Sequence, residues 1–289
     1  MTAAPGGQPP RAGSPLSASG SLGEARTLAP LGRREAPVVE GAALGAYRLV
    51  SILDADGPRP RPGQFYMLAT AERWGGDGDR PYLSRAFSHA RAHEDGRLDF
   101  LLEAVGPGTE RLAEARAGEG MLLVGPLGAG FRADPDRRPL LVGGGIGAAP
   151  VLALADELGA AARTVLGFRS AAHAEAASLF PGDVALATDD GSAGRHGLVT
   201  ELLREALDAG DPATVFACGP PPMLEAVRAL CAEREVPAQL AMESGMACGY
   251  GACFGCVVPT RSGYVRLCVD GPVLDAADLE TALVPGAGH

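Results

Sequence analysis

Leu140-Leu141-Val142-Gly143-Gly144-Gly145-Ile146-Gly147-Ala148-Ala149-Pro150 is the stretch on which the fold turns. A short, wholly apolar run enters a glycine-rich turn. A helical pattern follows, with Val151, Leu154, Ala155 and Leu158 on one face. Downstream, Thr164–Phe168, Val184–Thr188 and Val215–Cys218 read as further buried strands, with Leu198–Leu207 and Met223–Arg234 as helices between them. Strands alternating with helices predict a parallel α/β sheet, here a Rossmann-like domain over residues 137–240.

On the N-terminal side the pattern is different. Tyr47–Asp54, Phe65–Ala69, Arg85–Arg91, Leu98–Val105 and Met121–Val124 are short β-forming runs separated by turn clusters such as Asp56-Gly57-Pro58 and Glu94-Asp95-Gly96. They predict a small β-barrel over residues 37–136, interrupted by one helical piece near Thr109–Arg116. Residues 1–36 are rich in Gly, Pro, Ala and Ser and short of large apolar side chains, so a disordered extension is expected. Residues 241–289 are Gly- and Cys-rich and too small for an apolar core of their own. The fold class expected is therefore multidomain, β plus α/β, with a small C-terminal domain.

The composition excludes several classes. No apolar run approaches the ~18 residues of a membrane span, and the N-terminus lacks the basic start and apolar core of a secretory signal. The net charge of −10 argues against a nucleic-acid partner. All 25 Lys+Arg positions are Arg, so abundant arginine alone carries little functional weight. Four of the six cysteines crowd the C-terminus, which is not the pattern of a small secreted disulfide framework. It reads as a metal or cluster site in a reducing, cytoplasmic compartment.

Those four, Cys248, Cys253, Cys256 and Cys268, follow C-x4-C-x2-C…C, the plant-type ligand spacing of a [2Fe–2S] cluster. Three thiolates come from one loop and the fourth from a later segment. Gly249, Gly251 and Gly255 let the backbone fold tightly around the sulfurs. Ordinary buried thiols and a zinc site are the competing readings. Zinc usually adds a second C-x2-C or a histidine, and neither is nearby, which favours iron–sulfur.

The loop carrying Gly143, Gly144, Gly145 and Gly147 departs from the G-x-G-x-x-G dinucleotide fingerprint at Pro150, so alone it is weak. Thr188-Asp189-Asp190-Gly191-Ser192 and Cys218-Gly219-Pro220 also end strands, and three such loops line the sheet edge where α/β folds bind ligands. Cys218 reads either as a group at a nicotinamide or as a small buried thiol. Arg169-Ser170, after the second strand, read as holders of a 2′-phosphate or as solvated loop residues. In the barrel, Arg85 offers a fork for a pyrophosphate or is a plain surface arginine. Phe87 shares its face, and Ser88 points the other way unless the strand twists. Gly106-Pro107-Gly108-Thr109 opens the short helix, where amides suit a phosphate.

Taken together and in this order, Arg85–Ser88, Gly106–Thr109, Gly143–Pro150, Cys218–Met223 and the C-terminal cysteines resemble the electron-transfer subunits of class B dihydroorotate dehydrogenase, in the ferredoxin–NADP reductase superfamily. The resemblance spans about residues 40–275. It implies an FAD-binding barrel, an NAD-binding α/β domain and a [2Fe–2S] domain. Arg85 would contact the FAD pyrophosphate, Phe87 and Ser88 would flank the isoalloxazine, and Gly106, Gly108 and Thr109 would hold the phosphates or ribityl chain. Phe87 stands where many relatives have Tyr. The implied partner is an FMN-bearing catalytic subunit, in a heterotetramer of two of each, passing electrons through the cluster and FAD to NAD+. Other flavin–iron–sulfur reductase subunits, such as a hydrogenase diaphorase or the small subunit of an NADH-dependent ferredoxin:NADP oxidoreductase, share much of this pattern. A redox-sensing regulator and a zinc-stabilised module remain further readings.

Overall fold

The computed structural model describes residues 28–29, 32–75 and 81–284. Most of the expected N-terminal extension lies outside them, but its last residues are already strand. β1 (Arg34–Leu44) turns Ala36 and Val38 inward and anchors Arg34 to Asp54 through an ion pair of 2.6 Å. Its small side chains hide the alternation that marks the other strands.

β1 joins the two halves of the barrel sheet. Its first residues pair with β7 (Gly120–Leu127) and its later ones, from Val38, with β2 (Tyr47–Leu53), where the register shifts between Val38 and Glu40. The other barrel elements are β3 (Phe65–Thr70), β4 (Arg85–Ser88), β5 (Arg91–Ala92), β6 (Arg97–Leu102) and α1 (Pro107–Ala113). Strand order is β4-β3-β7-β1-β2-β6-β5, antiparallel throughout. β4 and β5 lie at opposite edges, yet only His89 and Ala90 separate them in the chain. Three residue steps reach about 10 Å at most, so the sheet must curl until its edges meet. The interior is filled by Val50, Ile52, Leu68, Leu102 and Leu123, with Tyr66 and Phe100 edge to face at 5.7 Å. Burial of the linking His89 keeps its imidazole neutral, with the pKa pushed down to about 4.

The second sheet has the order β11-β10-β9-β8-β12-β13-β16. It is built from β8 (Arg138–Gly144), α2 (Ala148–Leu158), β9 (Arg163–Phe168), α3 (Ala171–Ala174), β10 (Val184–Thr188), β11 (Arg195–His196), α4 (Val199–Asp208), β12 (Ala213–Cys218), α5 (Pro221–Glu233) and β13 (Ala238–Ala241). β8 to β13 pair in parallel, as the buried apolar runs predict. From β8 the chain winds outward to β10 and then crosses back to β12. The order therefore reverses between β8 and β12, opening a crevice at their carboxyl ends.

The C-terminal segment holds a hairpin of β14 (Val257–Thr260) and β15 (Gly263–Arg266) and then β16 (Val273–Asp275). β16 returns to pair antiparallel with β13. As expected, the segment has no separate core: Cys256, Val258, Leu267, Cys268, Leu279 and Ala282 pack into the cluster formed by β12, α4 and α5. Among the described residues no helix is long and apolar enough to cross a membrane.

Candidate functional site

Between the barrel and the second sheet runs a cleft lined by Phe65, Ala86, Phe87, Ser88, Cys218, Glu243 and Met246, among others. Strict alternation would send Ser88 away from Phe87. Both reach the cleft because β4 is a four-residue edge strand paired only with β3, and the cavity wraps its end.

Arg85 leaves this cleft and lies over the start of α1. A Cβ on Gly108 would sit 2.6 Å from Arg85 Nε, so glycine is what lets the guanidinium settle there. Nη1 donates to the Leu83 carbonyl, and the guanidinium carbon is 6.0 Å from the Trp74 ring centre. Among the described residues no carboxylate pairs with Arg85. The Thr109 hydroxyl accepts from the Val105 and Gly106 amides at 2.9 and 3.1 Å and donates to the Gly106 carbonyl at 3.0 Å. Thr109 thus shapes the turn, and the Gly106 amide is already used. The Gly108 and Thr109 amides remain as leading helix donors. An arginine with no carboxylate partner among the described residues, beside the leading amides of a helix, fits the pyrophosphate of FAD. Arg85→Ala is expected to weaken flavin retention by about 1.5–3 kcal/mol, the scale of a charged hydrogen bond, with Lys restoring part of it. FAD occupancy after gel filtration measures this, and unchanged occupancy would refute it.

A second cavity, of about 600 Å³, opens at the carboxyl ends of β8, β9, β10 and β12. Gly144 and Gly145 line it; Gly147 and Cys218 line the first cleft instead. Gly143 and Gly219 line neither. A Cβ on Gly143 would meet Leu166 at 2.6 Å, and one on Gly219 would meet Met223 at the same distance. These glycines serve close packing, whereas Gly145, at φ +55° with only the Tyr47 hydroxyl within 4 Å of where a Cβ would stand, faces the cavity. Burial raises the Cys218 thiol pKa well above its usual value and the nearby Glu243 carboxylate adds to this, so the sulfur stays protonated.

Three residues not singled out from the sequence complete the clefts. Tyr47, from β2 of the barrel, is buried beside Gly145, and among the described residues its hydroxyl has no hydrogen-bond partner. An orphaned donor beside a glycine turn fits a dinucleotide phosphate. Glu103, just beyond β6, enters the same cavity. Glu243 lines both clefts, and burial raises its carboxyl pKa. The first two come from the other sheet, so no local pattern marks them; Glu243 stands five residues before Cys248, outside the cysteine spacing itself.

The four clustered thiols stand as two pairs. Cys256 Sγ is 3.1 Å from Cys268 Sγ. Cys248 is hydrogen-bonded to Cys253, and Cys248 and Cys268 interact electrostatically. Among the described residues no three potential ligands are gathered around one metal point. The donor set still fits a cluster, being thiols only, with amides aimed at sulfur. Gly255 N–H points to Cys253 Sγ at 3.4 Å and Cys268 N–H to Cys256 Sγ at 3.5 Å. Partial burial opposes the Cys248 thiolate, but the Cys253, Tyr250 and Ala252 amides and the Cys253 side chain outweigh it and bring the pKa down to about 6. At Cys268, burial and then the Cys256 sulfur push it up to about 12, an opposition that a cation between the thiols would relieve.

Comparison with known proteins agrees with this geometry. Residues 243–280 match the family model of the iron–sulfur cluster binding domain of dihydroorotate dehydrogenase B. The electron transfer subunit of dihydroorotate dehydrogenase B (NAD(+)) from Caldanaerobacter subterraneus subsp. tengcongensis is 36% identical over 228 residues, 77% of this chain and 88% of the relative. Its counterpart from Geobacillus sp. is 38% identical over 230 residues, 75% and 86% of the two chains. Among solved structures, a chain of an NADH-dependent reduced ferredoxin-NADP oxidoreductase superposes with a TM-score of 0.72 at 25% identity, covering 85% of this chain and 90% of that one. A Neisseria gonorrhoeae ferredoxin NADP+ reductase with bound FAD and NADP shares the fold at TM-score 0.58 and 18% identity, covering 70% of this chain and 91% of that one. With more than a third of the aligned residues identical over 86–88% of the length of such relatives, the chain belongs to the family of dihydroorotate dehydrogenase B electron transfer subunits.

Proposed function

We propose that this chain is the reductase subunit of a two-subunit dihydroorotate dehydrogenase, linking an FMN-bearing catalytic partner to NAD+ in pyrimidine biosynthesis. The observation that carries the reading is the convergence of three sites on one segment. Ala241–Met246 line the cleft with Phe87 and Ser88, Glu243 also lines the nucleotide cavity, and the first cysteine follows at 248. The cysteine loop is pressed on the barrel as well, since a Cβ on Gly249 would lie 2.5 Å from Met67. When bound, FAD and the cluster would supply the exchange between hydride and single-electron chemistry.

The chain's own residues divide the remaining work. Arg85 and the start of α1 hold the flavin phosphates. Phe87 packs against the ring system, and Ser88 and the protonated Cys218 line the place where the nicotinamide would meet it. Cys248, Cys253, Cys256 and Cys268 ligate the cluster. The barrel is assigned to residues 37–136, the nucleotide domain to 137–240 and the cluster domain to 241–289. The partner supplies the dihydroorotate site, in an assembly of two of each subunit. Six unpaired thiols suit a reducing cytoplasm.

The likeness to the ferredoxin-NADP oxidoreductase chain supports a second reading, the small FAD/[2Fe–2S] subunit of an NAD(P)H:ferredoxin oxidoreductase. One experiment separates the two. The isolated chain should reduce a dye with NADH and leave dihydroorotate untouched; mixing with the FMN subunit should create dihydroorotate:NAD+ activity. Dihydroorotate oxidation by this chain alone, or two active halves that never couple, would refute the first reading.

A further inference from the structure

We infer that Glu103, contributed by the barrel, makes the nucleotide cavity favour a dinucleotide with a free 2′-hydroxyl over one with a 2′-phosphate. The inference rests on the proposed nucleotide site. Arg169 follows β9 about twenty residues beyond the glycine turn, where this kind of sheet meets the adenosine ribose. From the sequence, Arg169 and Ser170 read as holders of a 2′-phosphate or as solvated loop residues. In the fold both are engaged. Arg169 Nη2 is paired with Glu103 Oε1 and lies 3.0 Å from His173 Nε2. The Ser170 hydroxyl is 2.9 Å from His173 Nδ1, and His173 Nε2 is 3.4 Å from Glu103 Oε1.

The Arg169–Glu103 pair does not lock the cavity through its own strength. The Arg169 side chain is 67% exposed, and such pairs contribute little. What persists when the pair opens is the Glu103 carboxylate, only 23% exposed on the cavity wall, with Asp189 lining the same cavity. A 2′-phosphate that recruits Arg169 must strip it from Glu103 and then face that carboxylate. A 2′-hydroxyl has a proton to donate to a carboxylate, and it needs no cation. Selectivity thus arises from a residue on the opposite domain, outside the nucleotide-binding sheet.

The test is calorimetric titration of the flavin-loaded protein with ADP-ribose and with its 2′-phosphate, beside dye reduction by NADH and NADPH. The wild type should prefer ADP-ribose. Glu103→Gln should shift the preference toward the 2′-phosphate by about tenfold, and adding Arg169→Ala should erase the shift. Arg169→Ala alone should leave the 2′-phosphate disfavoured. An unmoved preference in Glu103→Gln would overturn the inference, as would a shift produced by Asp189→Asn in its place. Should Glu103→Gln fail to fold, loss of the preference in Arg169→Ala alone would overturn it. A wild type that binds neither ligand and does not oxidise NADH would sink the proposed function together with this inference; a wild-type preference that the variants do not alter would sink this inference alone.

Discussion

Cys253→Ser protein will fold, keep its flavin and lose the red-brown iron–sulfur colour together with dihydroorotate:NAD+ activity in the presence of the catalytic partner. Cys253 is exposed, and its sulfur interacts with Cys248 and accepts from the Gly255 amide. An exposed substitution of this kind shifts stability by about 0.5 kcal/mol or less. The hydroxyl, however, is a poor iron ligand, and three remaining thiolates do not complete a two-iron site. Iron and sulfide content, the visible spectrum and the coupled assay report the three parts separately. Wild-type protein prepared without oxygen that holds stoichiometric zinc, or a serine variant that still couples, would refute the cluster assignment.

Gly147→Ala is expected to lower both stability and turnover through one added methyl group. Gly147 has φ −64°, so alanine meets no conformational objection. The objection is steric: the new Cβ would lie 2.5 Å from the Cys218 carbonyl carbon and oxygen and 2.6 Å from the Gly219 nitrogen. All three are backbone atoms, which no rotamer change can move aside. Overpacking of this kind costs about 1–3 kcal/mol. It wedges apart β8 and β12 at the crevice proposed for the meeting of nicotinamide and flavin, and a displacement of ~1 Å there costs on the order of 10²-fold in rate. Thermal melting and kcat/KM for NADH–dye turnover measure the two effects. A variant with wild-type melting and turnover would show that the two turns are not tightly interlocked.

Local pattern made much of this legible. Wholly apolar runs mark β8, β9, β10 and β12 because both faces of a parallel sheet are buried. The cysteine spacing stands out because cluster geometry demands it whatever surrounds it. β1 did not stand out, since Ala36 and Val38 bury too little to reveal the alternation in Arg34–Leu44. Tyr47 and Glu103 were unreadable for another reason. Each lies in or beside an ordinary barrel strand, and each matters only because the second sheet docks there; Gly45 has the Ala172 carbonyl hard against it, and the Ala46 amide donates to that oxygen at 2.9 Å. The Thr109 hydroxyl turns back to accept from the Gly106 amide, a local closure that the sequence pattern does not reveal.

The pairing of Ala241 with Val273 and of Leu240 with Leu274 makes the cysteine segment a detour between two neighbouring sheet strands, with its exit and re-entry hydrogen-bonded side by side. Closing a loop of about thirty residues carries an entropic cost, and the backbone ladder at its two ends offsets part of it. All four clustered sulfurs therefore ride on a single excursion whose ends the nucleotide sheet itself ties together, so a change that unpairs β13 from β16 reaches the cysteines without touching them.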